Sequence, residues 1–384
     1  MDIPTILNHL GEEHERYYNA VAPPLIQSSN FCVKNVEELR HVLRNEFTVP
    51  FYTRGNNPTV AILRKKIAAL EGAGDALVFA SGTAAITASV MSVVKGGDHV
   101  VCVQKPYSWT NALLNKYLPD YGVKTTMVDA RKTENIENAL TPATKLIYLE
   151  SPNSITFELQ DIEAVVRLAK QRGITTVIDN SYSSPLCQSP LSMGVDLVLH
   201  SASKYFGGHS DLVAGVVCGS KERIGSMFAK EFMNLGGIIS PHDAWLMLRS
   251  IRTLELRVNK SAEVTQQVVD KLENHPKIEK INYPFAKSNP QLALAKKQMK
   301  CGTGLFSLLL KADEAGVERF VNSLTRFVIA TSWGGYESLV FPFCAMPEAA
   351  RAVSGVPANL VRLYIGIDET EYLMDDLLNA LARI

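Results

Sequence analysis

Between residues 59 and 217 short apolar runs alternate with amphipathic stretches. "TVAILRKKIAALEG" repeats its apolar residues at helical spacing, and Asn57-Pro58 ahead of it is a helix start signal. "ALVFAS" then reads as a short buried strand, and "GTAAITASVMSVVKGG" as a helix closed by Gly96 and Gly97. The alternation continues through "HVVCV", a helical "SWTNALLNKYL", "TTMVD", "KLIYLE", a helical "DIEAVVRLAKQRG", "TTVIDN" and "DLVLHS". Several of these strands are apolar throughout rather than at every second position. Strands covered on both faces carry that pattern, so the prediction is an α/β fold with a mostly parallel central sheet.

Past residue 240 the pattern changes. "PHDAWLMLRSIRTLELRVNKSAEVTQQVVDKLENH" predicts a long helix, and "KIEKINYP", "GLFSLLLK", "FVIATSW" and "LVRLYIG" predict strands set between helices. Residues 1–48 show no sheet pattern. The expected organisation is an N-terminal arm over 1–48, a cofactor-binding α/β domain over 49–240, and a smaller C-terminal α/β domain over 241–384.

Composition narrows the picture mainly by exclusion. Lys+Arg and Asp+Glu both number 39, which gives no general attraction to nucleic acid or anionic lipid. No apolar run is long enough to span a membrane, and "MDIPTILNHLGEEHERYY" lacks the basic-then-apolar form of a secretory leader. Cys32, Cys102, Cys187, Cys218, Cys301 and Cys344 are widely spaced, with no C-x-x-C, so no metal site is expected. They read as reduced, mostly packed thiols of a cytoplasmic protein.

The commoner site signatures are also missing. No G-x-G-x-x-G follows a strand, no G-x-x-x-x-G-K-[ST] occurs, and "GHSDL" lacks the last glycine of a nucleophile elbow. What remains are polar residues at strand ends. Ser81-Gly82-Thr83 lies between a strand and a helix, where free amides can hold an anion, although such a turn alone is equally well a plain turn. Asp179 ends "TTVIDN", where a carboxylate is costly unless paired, and where it is equally well a cap. Lys204 follows "DLVLHS" inside "HSASKYFGGHSD". Taken together, at successive strand ends, the three ask for a ligand with a phosphate, a protonated ring nitrogen and an aldehyde. Pyridoxal 5'-phosphate meets those demands: Lys204 for a Schiff base, Asp179 for the ring nitrogen, and Gly82 and Thr83 for the phosphate, with hydroxyl help from Ser201 and Ser203.

With these residues in place, the sequence resembles, over nearly its whole length, the cysteine and methionine metabolism enzymes that use pyridoxal phosphate, the trans-sulfuration group of fold type I. "YTRGNNPT", "SGTAAI", "VIDNSY", "HSASKYFGGHSD" and "LVRLYIGID" look like that family's motifs, in its order. The resemblance implies that Lys204 is both cofactor lysine and proton shuttle, and that Tyr107 stacks on the ring and helps move protons. Tyr52 and Arg54 fall where a neighbouring subunit reaches the phosphate, which implies an active dimer, typically paired into a homotetramer. Arg362 matches the arginine that grips the substrate α-carboxylate, with Ser332 assisting and Trp333 beside it, although Trp333 also suits a core.

The family divides between β-elimination, γ-elimination and γ-replacement. "SPNSITFELQDI" departs from the Ser-Pro-Thr-Asn-Pro form of many γ-acting members, with Ser154 at the usual asparagine position. "TSWGGYESL" has Trp333 where many of those members have leucine, and "PYSWT" has no cysteine. These features are similar to bacterial cystathionine β-lyases. They imply a C–S β-lyase of methionine biosynthesis that cleaves L-cystathionine, or a related sulfur amino acid, to homocysteine, pyruvate and ammonia. A cystathionine γ-lyase or γ-synthase is the alternative, and a non-catalytic binding protein of the same fold is the remote one.

Overall fold

The computed structural model describes residues 1–384, the side chain of Val353 excepted. Seven strands form the larger sheet: β1 (Asp75–Phe79), β2 (His99–Val103), β3 (Lys124–Val128), β4 (Thr144–Glu150), β5 (Thr175–Asp179), β6 (Leu197–Ser201) and β7 (Gly215–Gly219). Their order is β1-β7-β6-β5-β4-β2-β3. Strands β2 to β6 pair in parallel, and β7 alone runs against its neighbours β1 and β6. The cause is local. The other strands return through helices, whereas β7 follows β6 directly after the 202–214 turn and must run back beside it. That turn carries Lys204. The sequence pattern stopped at "DLVLHS" and did not foresee β7.

A second sheet holds β8 (Ile278–Asn282), β9 (Leu305–Leu310), β10 (Val328–Ile329), β11 (Leu339–Pro342) and β12 (Leu360–Tyr364), in the order β10-β11-β12-β9-β8. It is antiparallel except between β10 and β11. The molecule is thus an α/β fold with a mostly parallel central sheet and a smaller second sheet. The long helical pattern after residue 240 is two helices, Pro241–Ile251 and Leu254–Leu272. The chain turns between them at Thr253, whose hydroxyl donates to the Ser250 carbonyl at 3.1 Å. The helix expected to close at Gly96 ends at Met91. "FVIATSW" shrinks to a two-residue strand, Val328–Ile329, and Ser332 beyond it takes φ +77°.

Helix starts follow their caps. The Asn57 side chain accepts from the Thr59 amide at 2.9 Å, ahead of the helix Pro58–Glu71. Asp161 and Ser240 cap the helices Ile162–Arg172 and Pro241–Ile251 in the same way. Residues 1–12 are docked on this frame. Lys66, fully buried on the helix Pro58–Glu71, donates to the carbonyls of Ile6 and Leu7 at 3.0 Å each and pairs with Glu12 at 3.0 Å. Arg252 closes on the other side of Glu12 at 2.9 Å.

The expectation of six reduced thiols needs correction. Cys187 and Cys301 are disulfide-bonded across 114 residues, with Cα atoms 5.1 Å apart. Cys102 and Cys218 are buried thiols as expected, while Cys32 is exposed. No described helix is long and apolar enough to cross a membrane.

Candidate active site

Polar residues gather at the carboxyl ends of the parallel strands, where open α/β sheets place their ligands. After β1, the Ser81 side chain accepts from the Ala84 amide at 3.0 Å and caps the helix Gly82–Met91. The cap uses the third helical amide, so the Gly82 and Thr83 amides are left at the positive end of the helix. A Cβ on Gly82 would come within 2.9 Å of the Ser201 side chain, so this turn can press against the end of β6 only as glycine. Ser201 in turn donates its amide to the Ser181 hydroxyl at 2.6 Å.

Asp179, at the end of β5, is 6% exposed and accepts from the Ser181 amide at 2.9 Å. Burial pushes its carboxyl up, while Ser181, His200 and Lys204 pull the other way. Glu150 ends β4 in register with Asp179 and is 4% exposed. Burial first, and Asp179 second, push Glu150 up to about 8. Its Oε2 accepts the Tyr107 amide at 2.7 Å, which fixes the turn after β2. Tyr107 itself is 41% exposed, so its ring is open to a ligand. Burial of the phenol raises it, Asp179 and Glu150 add to this, and a hydrogen bond with Thr83 opposes them.

Lys204 extends from the β6–β7 turn, and its Nζ donates to the Ser332 hydroxyl at 2.7 Å. The Trp333 ring, 7% exposed, lies 5.6 Å from the same nitrogen. Burial, helped by the charge of Arg362, pushes the Lys204 ammonium down to about 8, against a smaller pull from Asp179. Gly334 has φ +87°, and a Cβ there would come within 2.9 Å of the Lys204 Cα. The 332–334 turn therefore fits over the lysine only with glycine at its third position. Ser332 adopts a left-handed backbone that non-glycine residues rarely take, a kind of strain that gathers at functional sites.

Arg362 comes from β12 of the second sheet, so the site lies between the two sheets. Its Nη1 donates to the Ser154 carbonyl at 3.2 Å, and its guanidinium sits 5.6 Å from the Phe341 ring. Burial pushes it down to about 10.

The structure therefore brings Gly82, Thr83, Tyr107, Asp179, Ser201, Lys204, Ser332, Trp333 and Arg362 to one end of the large sheet. Three expected contributors are placed differently. The Ser203 hydroxyl is engaged with Ala214, accepting its amide at 3.0 Å and donating to its carbonyl at 3.3 Å. Tyr52 and Arg54 are exposed, stack on each other at 5.4 Å, and line a separate cavity of about 440 Å³ with Gln27, Ser29 and Ile238. Asn153, beside the unusual Ser154, is also occupied. Its Oδ1 accepts the amides of Ile155, Thr156 and Phe157 at 2.9 to 3.1 Å. Glu150 and Ser181 were missed by sequence reasoning. The signal for Glu150 was present, as an acidic residue closing the apolar run "KLIYLE".

The donor set fits pyridoxal phosphate. Two free amides at a helix start suit its phosphate, a buried carboxylate answered by Ser181 suits its ring nitrogen, and a lysine of depressed proton affinity suits its aldehyde. The comparisons agree. The family described as "Cys/Met metabolism PLP-dependent enzyme" matches residues 4–382. L-methionine gamma-lyase of Pseudomonas putida is 36% identical over 97% of this chain and 95% of its own. Cystathionine gamma-lyase of Bacillus subtilis (strain 168) is 34% identical over 99% of both chains. The crystal structure of metB from Corynebacterium glutamicum superposes with a TM-score of 0.94 at 34% identity, covering 100% of this chain and 98% of that one. On its sequence, fold and site together, this chain belongs to the Cys/Met metabolism family of pyridoxal-phosphate-dependent enzymes.

Proposed function

We propose that this pyridoxal-phosphate-dependent C–S lyase works by β-elimination on L-cystathionine, giving homocysteine, pyruvate and ammonia. Arg362 receives the substrate α-carboxylate, a role for which the planar guanidinium is well shaped. Lys204 Nζ takes the Cα proton. The bound cofactor supplies a sink for the electron pair left at Cα. The Cβ–S bond then breaks, and homocysteine leaves with a proton returned by Lys204. Water completes the release of pyruvate and ammonia. Asp179 would hold the ring nitrogen protonated, and the exposed Tyr107 ring would pack against the cofactor. Gly82, Thr83 and Ser201 hold the phosphate, and Ser203 joins them only on leaving Ala214. A second copy of the chain supplies Tyr52 and Arg54 to that phosphate, which explains why both stand apart within one chain.

Two electrostatic details support Lys204 as the base. Its ammonium is already held down to about 8, so about a tenth of it is neutral amine at pH 7, far more than at the ordinary 10.5. Part of that depression comes from Arg362. A carboxylate arriving at Arg362 neutralises that charge and strengthens the base when substrate is present.

The observation that carries the β-assignment is Trp333 packed beside Lys204 at 5.6 Å. β-Elimination asks Lys204 to serve Cα and the departing sulfur, whereas γ-chemistry also asks it to remove a Cβ proton. An indole wall suits the shorter excursion. The gamma-lyase relatives favour the second reading, γ-elimination, in which 2-oxobutyrate replaces pyruvate. Product analysis with L-cystathionine separates the two. Pyruvate with homocysteine is expected, and 2-oxobutyrate with cysteine would overturn the β-assignment. Protein that remains colourless after added cofactor would favour a non-catalytic binding role.

A further inference from the structure

Glu150 and Asp179 place two buried carboxylates side by side at the floor of the site. Such a pair is costly unless hydrogen bonds offset it. Asp179 has its ring-nitrogen role in the proposed function, and Glu150 has none. Its two oxygens answer two different backbone segments. Oε2 accepts the Tyr107 amide at 2.7 Å, and Oε1 accepts the Ser154 amide at 3.1 Å. The Ser154 carbonyl in turn accepts from Arg362 Nη1 at 3.2 Å. A continuous path thus runs from the tyrosine turn, through one carboxylate and the two peptide units that flank the Ser154 Cα, to the arginine of the second sheet.

We infer that Glu150 is a positioning residue that couples the ring-covering tyrosine to the carboxylate-gripping arginine. The inference rests on the roles given to Tyr107 and Arg362 above. Once Glu150 is ionised, above about pH 8, glutamine cannot replace it, because both oxygens face N–H groups and an amide would turn a donor toward one of them. The Ser154 Cα, which joins the two peptide units, is the hinge of the arrangement. Whatever moves Arg362 pulls on the Ser154 carbonyl, and the Ser154 amide passes the shift to Glu150 and hence to Tyr107.

The test compares L-alanine, which carries the α-carboxylate and no leaving group, with ethylamine, which lacks the carboxylate. Binding is read above about pH 8, where Glu150 is ionised, from the visible band of the bound cofactor in wild type and in Glu150→Gln. L-Alanine affinity should fall about tenfold, as expected when one charged hydrogen bond is lost, while ethylamine affinity stays within twofold of wild type. In an Arg362→Lys background the same substitution should cost L-alanine binding about twofold or less, because the coupled partner is already gone. An equal loss for both ligands, or no loss for L-alanine, would overturn the inference. Should Glu150→Gln fail to fold, amide hydrogen exchange on wild-type holoenzyme decides. L-Alanine should slow exchange at Tyr107 and Ser154 together, and a change at Ser154 with none at Tyr107 would sink the coupling. Wild type that takes up neither cofactor nor L-alanine would sink the functional reading itself, whereas normal wild-type binding with an unaffected variant sinks only this inference.

Discussion

Lys204 is held where its charge is disfavoured, by burial and by Arg362. Its folded value of about 8 lies below the ordinary 10.5, so the unfolded chain carries more protons between those two values. In cofactor-free protein the lysine therefore costs stability below about pH 8, and that cost is relieved as pH rises toward 10.5. The same amine must be neutral to attack an aldehyde. The rate of pyridoxal phosphate capture by cofactor-free protein should rise with pH, pass half its maximum near 8 and level off above that. Stopped-flow mixing at a series of pH values checks this, and a rate that is flat from pH 6 to about 10 would contradict the assigned environment. Lys204 was legible as the odd residue in "HSASKYFGGHSD". Its partners Ser332 and Trp333 lie 128 and 129 positions away, a proximity that only folding creates.

At the scale of elements, two turns define the lysine's surroundings. One is the β6–β7 turn that carries it, and the other is the 332–334 turn that covers it. Gly334→Ala would place a methyl against the Lys204 backbone in a conformation that L-residues resist. We expect a loss of about 1–3 kcal/mol in stability together with a drop in cofactor affinity. Thermal unfolding and cofactor titration read the two effects separately, and a variant with wild-type behaviour in both would remove the argument. The strands β1 to β6 were legible because their apolar runs have one reading at their length. Strands β7 and β11 were not, since "AGVVCG" and "LVFP" are short and bounded by glycines and prolines that also suit loops. The helix after residue 240 was legible as helical texture, and its break at Thr253 was not, because no glycine or proline marks it.

For the whole molecule, two features concern how distant parts are joined. The Cys187–Cys301 bond ties the segment after β5 to the segment before β9. Closing so long a loop stabilises by about 4–5 kcal/mol in the chain-entropy picture. Denatured protein without reductant should show four titratable thiols, those of Cys32, Cys102, Cys218 and Cys344. Six would show that the pair is reduced in solution. The second feature is the separation of Tyr52 and Arg54 from the lysine site. If a second copy completes each site, Lys204→Ala and Arg54→Ala proteins, each nearly inactive alone, should complement when mixed and reassociated. Random pairing leaves one intact site in half of the dimers, so about a quarter of wild-type activity should return. No recovery would place each site within one chain.

The amino-acid sequence by itself determined the α/β class, most strands of the parallel sheet, and the three strand-end residues that ask for pyridoxal phosphate. Those are local properties: apolar runs set the strands, and glycine, aspartate and lysine at their ends announce the chemistry. Tertiary structure alone decided the antiparallel β7, the engagement of Ser203 with Ala214, the Cys187–Cys301 pairing, and the path from Tyr107 through Glu150 and Ser154 to Arg362. The first two turn on how the 202–214 turn folds back, and the last two on which distant segments meet. That choice is made by burial of apolar surface summed over the whole chain, which no local window of sequence contains.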